Sequence, residues 1–531
     1  MNCTERLFMH IKFWFTKILR LLFISTLLVL VTACSEHNFF VVVSDNYNEL
    51  AEKYPVLKKH GFTVMTQSAY SALGKENNHV KLELYEAEPF ETVPEQFICI
   101  GQEIWVPAVP LHSMKISISK QELNAYFIDK LGLPADVILL PLQKLSLPFK
   151  AIPIEGSYIN DSDYPLVCKL YAHLTVNGNE ESLETEREKF FFSTAQHAWN
   201  EKQFSIFVKA VQDWLMGTGH RAEKLFSEGE SLEWVVAVGD VMLGRGIDER
   251  LKREGVEAVF TDTLPHLKQG AITACNFEAS LSQGKGPIPK SYNFFVPPWA
   301  LSYLKEAGFT YLTLTNNHVW DYGIDGFIET LVHIQESGLA TSGAGMNLEE
   351  AEKPWFIEKG TTRFCVLSVA AYPQEKNGFN GKELASAGKH TPGILFSGKG
   401  AEAAMEKYFS TNTFNIVFVH GGIEGSSVPG AEYENLYRSF VDRGANLVIG
   451  SHPHILQRME AYNGALIAYS LGDFLFAEMD DVPGGEDGLI LKVGIVRGKI
   501  VYVEAVPVKL SYIDVRVKHD VHELAQFMSL Q

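Results

Sequence analysis

Apolar runs in the C-terminal half of the chain each end in a residue that can bind a metal or move a proton. Trp234-Val235-Val236-Ala237-Val238 runs into Gly239-Asp240, Ala271-Ile272-Thr273-Ala274-Cys275 into Asn276-Phe277-Glu278, and Tyr311-Leu312-Thr313-Leu314-Thr315 into Asn316-Asn317-His318. Ile416-Val417-Phe418-Val419 runs into His420, and Leu447-Val448-Ile449 into Gly450-Ser451-His452-Pro453-His454. Asp240 can bridge two cations through its two carboxylate oxygens, Asn317 offers a carbonyl oxygen, and His420, His452 and His454 offer imidazole nitrogens. Mixed oxygen and nitrogen donors suit manganese, zinc or iron better than magnesium or calcium. His452 and His454 flank a proline; in an extended chain, residues two apart point to the same side. A single histidine is usually structural, but strand-end histidines together with Asp240 and Glu278 favour one shared metal site. Its expected ligands are Asp240, Glu278, Asn317, His420, His452 and His454.

Three further residues are candidates for chemistry. His318, with an unperturbed pKa near neutrality, suits protonation of a leaving group; its structural alternative is to orient Asn317 or cap the next helix. Glu424, in Gly421-Gly422-Ile423-Glu424-Gly425, is a ligand, a base or a solvated loop carboxylate. That loop lacks the Lys-Ser/Thr ending of a phosphate-binding P-loop. Arg245, five residues past Asp240, can clamp an anionic group; the alternative is a surface ion pair.

The elements that must position these residues follow from the same runs. Short β-rich segments without clean alternation read as strands buried on both faces. In an open α/β sheet the ligand sits at the carboxyl ends of such strands. Helical spacing over Ala300–Ala307 and Phe327–Glu336 alternates with the strands, which predicts an α/β architecture. Leu489–Val493 and Ile500–Val503 alternate better and predict a closing antiparallel pair. The N-terminal half predicts a smaller mixed α/β domain over 34–222, with strands at Phe39–Val43 and Val137–Leu140 and a helix over Phe204–Leu215. Asn177–Lys189 is polar and acidic and reads as an exposed loop or hairpin. Gly217-Thr218-Gly219-His220 and the polar stretch after it read as a linker, with the second domain over 232–515.

Residues 1–33 read as a targeting segment. Arg6, Lys12, Lys17 and Arg20 precede an apolar stretch, Leu21–Ala33, too short to span a bilayer comfortably. It closes on Val31-Thr32-Ala33-Cys34, which resembles the lipobox of bacterial lipoproteins; this implies a lipidated Cys34 that holds the protein on a membrane without crossing it, and an ordinary cleaved signal or an uncleaved anchor is the alternative. The expected location is the cell envelope, on the outer side of the cytoplasmic membrane or on the outer membrane. Hydrophobic residues make up 46% of the 531, ample for sizeable cores, and a net charge of −18 argues against a nucleic-acid partner. Cys99, Cys168, Cys275 and Cys365 show no C-x-x-C pair, so neither a zinc ribbon nor a dense disulfide scaffold is indicated. Cys275 and Cys365 lie in apolar runs, as small buried hydrophobes do, while a Cys99–Cys168 bridge stays open.

The motifs Gly239-Asp240-Val241-Met242-Leu243-Gly244-Arg245, Asn276-Phe277-Glu278, Asn316-Asn317-His318 with Asp321-Tyr322-Gly323, His420-Gly421-Gly422-Ile423-Glu424, Gly450-Ser451-His452-Pro453-His454 and Ser470-Leu471-Gly472-Asp473-Phe474 resemble, in order and spacing, the CapA (PgsA) family of poly-gamma-glutamate capsule biosynthesis proteins. The resemblance implies a metallophosphoesterase-like layered α/β sandwich, a surface location, and a role in making or exporting an anionic poly-amino-acid beside other capsule-synthesis membrane proteins. Asp163–Tyr171, with Leu147–Gly156, resembles a strand region of periplasmic solute-binding proteins, which implies a ligand-binding domain; a structural spacer is the alternative. The chain departs from the family in Gly421, where Trp is frequent, in the missing Tyr after Glu424, and in Asp473, where Asn is usual. It departs from the wider calcineurin-like phosphoesterases in Met242, where their D-x-H motif has His, and in Val319, where an acid follows their motif His. One metal or an asymmetric pair is therefore expected. Two functions compete: metal-assisted hydrolysis of a phosphoester or glutamyl amide, and non-catalytic polymer binding or envelope assembly.

Overall fold

A computed structural model of the chain describes residues 231–518 without interruption, with strands and short stretches between 38 and 192. The targeting segment, Cys34, the helix expected over Phe204–Leu215 and the linker lie outside the described residues. The chain divides into two compact units, and the second takes in 108–116 and 145–152 as well as everything from Glu228.

In the first unit the expected strands form as Asn38–Val43 and Ile138–Pro141. Asn38–Val43 pairs in parallel with both Phe62–Thr66 and His79–Ala87, and His79–Ala87 pairs antiparallel with Val167–Val176. The acidic stretch after Val176 contributes a hairpin, Leu183–Glu186 against Lys189–Phe192.

The second unit contains β1 (Glu233–Met242), β2 (Ile272–Phe277), β3 (Tyr311–Thr313), β4 (Trp355–Lys359), β5 (Thr362–Ala371), β6 (Phe414–Gly421), β7 (Leu447–Ser451), β8 (Leu456–Tyr462), β9 (Ala465–Leu471), β10 (Asp473–Phe476), β11 (Asp487–Val496) and β12 (Lys499–Leu510). One sheet runs β3-β2-β1-β11-β12, and the other β4-β5-β6-β7-β9-β8. Pairing is parallel from β1 to β3 and from β5 through β9. The expected antiparallel closing pair is β11 with β12. Phe149–Ala151 joins the open edge of β12, with Ala151 opposite Tyr502.

Strands buried on both faces explain the unbroken apolar runs. In β6, Phe414, Ile416 and Phe418 enter a core shared with Val235, Ala237, Ile272 and Ala274 of the other sheet, so the sheets pack face to face. The alternate residues Val417 and Val419 pack against Ala401, Ala404 and Met405 of α4 (Lys399–Tyr408) and Tyr437 and Phe440 of α5 (Gly430–Asp442). Three earlier helices, α1 (Ile247–Glu254), α2 (Leu301–Ala307) and α3 (Gly323–Ser337), follow β1, β2 and β3 and bury Ile247, Leu251, Leu301, Leu304 and Phe327. This is the layered α/β sandwich the sequence predicted. Cys275 and Cys365 are free and buried in it. No helix among the described residues is long and apolar enough to cross a membrane.

At the carboxyl end of β1 the neighbouring strand changes. Glu233–Ala237 pair antiparallel with β11, whereas Asp240–Met242 pair in parallel with β10, and Asp240 lies opposite Asp473. The register shifts between Ala237 and Asp240, a bulge that re-aims the side chain. The crossing is tight: a Cβ on Gly239 would lie 1.7 Å from the carbonyl oxygen of Gly472, and the Asp240 amide donates to that same oxygen at 3.1 Å. Backbone cannot retreat as a side chain can. Gly239→Ala is therefore expected to cost more than about 3 kcal/mol, above the usual range for point mutants. Urea denaturation of the purified variant, or its failure to accumulate in soluble form, measures this.

Candidate metal centre

All the expected ligands arrive at one edge of the sandwich, on the carboxyl ends of the parallel strands. Asp240 lies in β1, Glu278 just after β2, Asn317 and His318 after β3, His420 in β6, and His452 and His454 after β7. Asp240, Glu278 and His420 are entirely buried, and Asn317, His318 and His452 nearly so.

Asp240 faces two ways. Its Oδ1 accepts from Asn276 Nδ2 at 2.7 Å and lies 3.9 Å from His420 Nδ1. Its Oδ2 accepts from the backbone amide of His452 at 3.1 Å and lies 3.4 Å from His454 Nδ1. Two donor sets therefore share this carboxylate: Asp240, Glu278 and His420 form one, and Asp240, His454 and Asp473 the other, each with ligand atoms within 4.8 Å of one another. His420 Nε2 also lies 3.0 Å from Asn317 Oδ1.

The most telling atom is Glu278 Oε1. It is buried and has no hydrogen-bond partner among the described residues. Around it stand His318 Nε2 at 3.8 Å, His420 Nε2 at 3.9 Å and His454 Nε2 at 3.8 Å. These separations are too long for hydrogen bonds. Two metal–ligand bonds of about 2.0–2.2 Å can span them. Asp473 Oδ2 and His452 Nδ1 are likewise buried and unpartnered among the described residues. Orphaned polar atoms of this kind call for an explanation, and a divalent cation held by carboxylate and imidazole donors supplies one.

His452 and His454 do not converge through extended backbone, as expected from their spacing. Both have positive φ, 99° and 60°. A left-handed turn around Pro453 brings the rings to the same side, with centroids 6.2 Å apart, and aims the His452 amide at Asp240. Non-glycine residues adopt such angles only where the surroundings impose them.

His318 is held from behind. Its Nδ1 lies 2.7 Å from Asp321 Oδ2, its ring stacks on Phe294 at 4.0 Å, and Nε2 is left facing Glu278. Burial lowers its pKa against the pull of Asp321, so the resting ring is neutral. Nδ1–H then donates to Asp321 and Nε2 carries the lone pair, ready to accept a proton before it can give one.

Burial also drives His420 and His452 well below the usual histidine range, with neighbouring imidazoles adding to the effect. Burial pulls His454 the same way, but Asp473, Glu278 and Asp240 override it and hold that ring charged well above the usual range. Burial, with the nearby Asp240 charge, pushes the Glu278 carboxyl well up. Burial raises Asp473 to about 7 despite the opposing charge of His454.

Arg245 sits at the rim rather than among the ligands. It donates to the carbonyl of Ala477 at 3.0 Å, pairs with Glu478 at 3.1 Å, and lies over the rings of Phe294 and Tyr292 at 4.9 and 5.8 Å. Glu424 is exposed, and a carboxylate oxygen comes within 4.8 Å of ring nitrogens of His452 and His454.

With the geometry assembled, comparison with known proteins adds the family. Residues 234–478 match the family model described as bacterial capsule synthesis protein PGA_cap. Over those residues the chain is similar to that family. Among similar proteins, the capsule biosynthesis protein CapA of Bacillus anthracis is 30% identical over 274 residues, 50% of this chain and 64% of its own. The PGA biosynthesis protein CapA of Bacillus subtilis is 32% identical over 243 residues, 45% of this chain and 62% of its own. The chain thus spans less than two thirds of the length of these relatives. A solved ABC-type phosphate transport receptor from Vibrio cholerae aligns with 34% of this chain and 96% of its own at 8% identity, but a TM-score of 0.21 leaves nothing to argue from.

Reading residues alone missed part of this candidate site. Asp473 had been noted only as a departure from the usual Asn, yet it lies 2.9 Å from His454 Nδ1 and completes the second donor set. Its signal was there: an acid two residues past an apolar run, across a glycine, like Asp240. Asn276 contacts Asp240, Glu278 and His420 at 2.7, 3.1 and 3.0 Å and is itself anchored by Asn316 Nδ2 at 3.0 Å. Asp321 and Lys290 were missed because their importance is visible only once the loops are folded together.

Proposed function

We propose that the C-terminal domain is a metal-dependent hydrolase of the cell envelope. In this reading it acts on a phosphoester or glutamyl amide during the synthesis or export of poly-gamma-glutamate. The unpartnered Glu278 Oε1, ringed by three imidazoles, carries this reading. The capsule role is drawn from the names of the two Bacillus relatives.

Asp240, Glu278, Asn317, His420, His454 and Asp473 would hold the cation or an asymmetric pair, with His452 and Glu424 at the outer side. Manganese, zinc or iron fits this donor set. Such a cation supplies Lewis-acid polarisation of a phosphoryl or carbonyl oxygen. The chain's own residues supply the rest. His318, fixed by Asp321, would take a proton from the attacking water on Nε2 and pass it to the leaving group. Arg245 exchanges Glu478 for a negative group on the substrate. The buried strand ends keep bulk water from the charged donors, which strengthens their interactions. Lipidated Cys34 would hold the protein at the membrane beside the other capsule-synthesis proteins.

The test uses the purified chain with manganese or zinc, a panel of phosphoesters and γ-glutamyl amides, and the variants Asp240→Ala, His452→Ala and His318→Ala. The two ligand variants are expected to lose turnover, and His318→Ala to reduce kcat by about 10²–10⁴-fold, the range for a proton-transfer group. Unchanged activity in the ligand variants rejects the hydrolase reading. Tight binding of polyglutamate with no turnover of any substrate assigns the same strand edge to polymer handling instead.

A further inference from the structure

Lys290 lies outside every motif that marks the site. Its side chain is nonetheless completely buried, with an ammonium group 2.7 Å from Asp321 and 2.9 Å from Glu375. It also donates to the backbone carbonyl of Asn317 at 2.8 Å and lies 4.6 Å from the centre of the Phe379 ring. A buried ammonium is costly to desolvate, and such a group persists where its charge and its hydrogen bonds are matched. Here they are matched by two carboxylates and one carbonyl.

Each of these partners has a second task. Asp321 holds His318 and also accepts from the backbone amide of Phe294 at 2.6 Å. Glu375 accepts from Asn317 Nδ2 at 3.2 Å. An amide held by its nitrogen end has its oxygen end aimed: Asn317 Oδ1 is thereby turned towards His420 Nε2, 3.0 Å away. The loop around Lys290, the Asn316–Tyr322 loop and the turn around Glu375 thus meet at one buried charge.

We infer that Lys290 and Glu375 are positioning residues that lock Asn317 with its carbonyl oxygen towards the cation. This rests on the metal-binding part of the proposed function and names residues for which that reading had no role. Partners that orient a ligand in this way typically contribute 10–100-fold to metal affinity.

The experiment is Mn²⁺ titration by calorimetry on the full chain, comparing wild type with Lys290→Met, Glu375→Ala and Glu375→Gln. Thermal unfolding in chelator is measured alongside. Lys290→Met and Glu375→Ala are expected to weaken Mn²⁺ binding by about 10–100-fold. Glu375→Gln, which keeps an oxygen to accept from Asn317, is expected to recover most of the affinity. A merely structural role for Glu375 would move the chelated unfolding midpoint and not this rescue. Glu375 is partly exposed, so its variants remain informative if Lys290→Met does not fold. Wild-type affinity in Glu375→Ala overturns the inference. Failure of wild type to bind Mn²⁺, Zn²⁺ or Fe²⁺ at all overturns the metal-site reading on which it rests, and the inference with it.

Discussion

Asp240→Ala is expected to abolish measurable cation binding, lowering affinity by more than the roughly 100-fold that loss of an orienting partner can cost. The reason is that Asp240 belongs to both buried donor sets, and its removal leaves only the outer group Glu424, His452 and His454, whose carboxylate is exposed. The change is easily read as stability. A ligand that binds only the folded state at about 100 times its Kd adds about 2.7 kcal/mol. Wild type should therefore melt several degrees higher with saturating manganese or zinc than with chelator, and Asp240→Ala should show no such difference. Without metal two effects oppose: the variant leaves the buried His452 amide without its acceptor but relieves crowding of like charge. It removes one of three carboxylates, Asp240, Glu278 and Asp473, that are buried together. A metal-dependent rise in the melting temperature of Asp240→Ala equal to that of wild type would show that the cation binds elsewhere.

The second large effect is on pH. In the metal-free cluster, Glu278 titrates well above the usual carboxylate range, Asp473 at about 7, and His454 stays charged well above the usual histidine range. Near neutral pH the cluster therefore holds protons that a cation must displace. Affinity is expected to fall as pH is lowered from about 8 to about 5, by about tenfold per pH unit for each proton displaced. Calorimetry in buffers of different ionisation enthalpy counts those protons; a flat affinity with no proton release would refute the assignment. The same shift bears on stability. Asp473 titrates at about 7 in the fold against 3.8 for an unperturbed group, so the fold binds its proton more tightly than the unfolded chain does. Its contribution is present below pH 3.8 and lost as pH rises through 7. Metal-free Asp473→Asn should consequently melt higher than wild type at pH 8, by about 1–2 kcal/mol or some 2–8 °C, while binding metal less tightly. Sites that gather like charges for function generally give up stability to do so.

The apolar runs and the residues at their ends were enough to indicate an α/β architecture with a candidate metal edge, and the resemblance to the CapA family implied the layered sandwich. Strand burial and strand-end placement are local consequences of composition and period. That is why Asp240, Glu278, Asn317, His420, His452 and His454 were legible before any fold was in view. The turn at Pro453 was not, because the positive φ at His452 and His454 goes with a tertiary contact, the His452 amide donating to Asp240 more than two hundred residues away. Asp473 joins the second donor set only because β10 replaces β11 beside β1. Asp321 and Lys290 gained their roles only when three loops closed on one ammonium group. A residue's type and its neighbours in sequence set which chemistry it can offer; which partner it meets, and whether it meets that partner away from water, is fixed by tertiary contacts, where burial shifts a pKa and leaves an oxygen such as Glu278 Oε1 without a hydrogen-bond partner among the described residues.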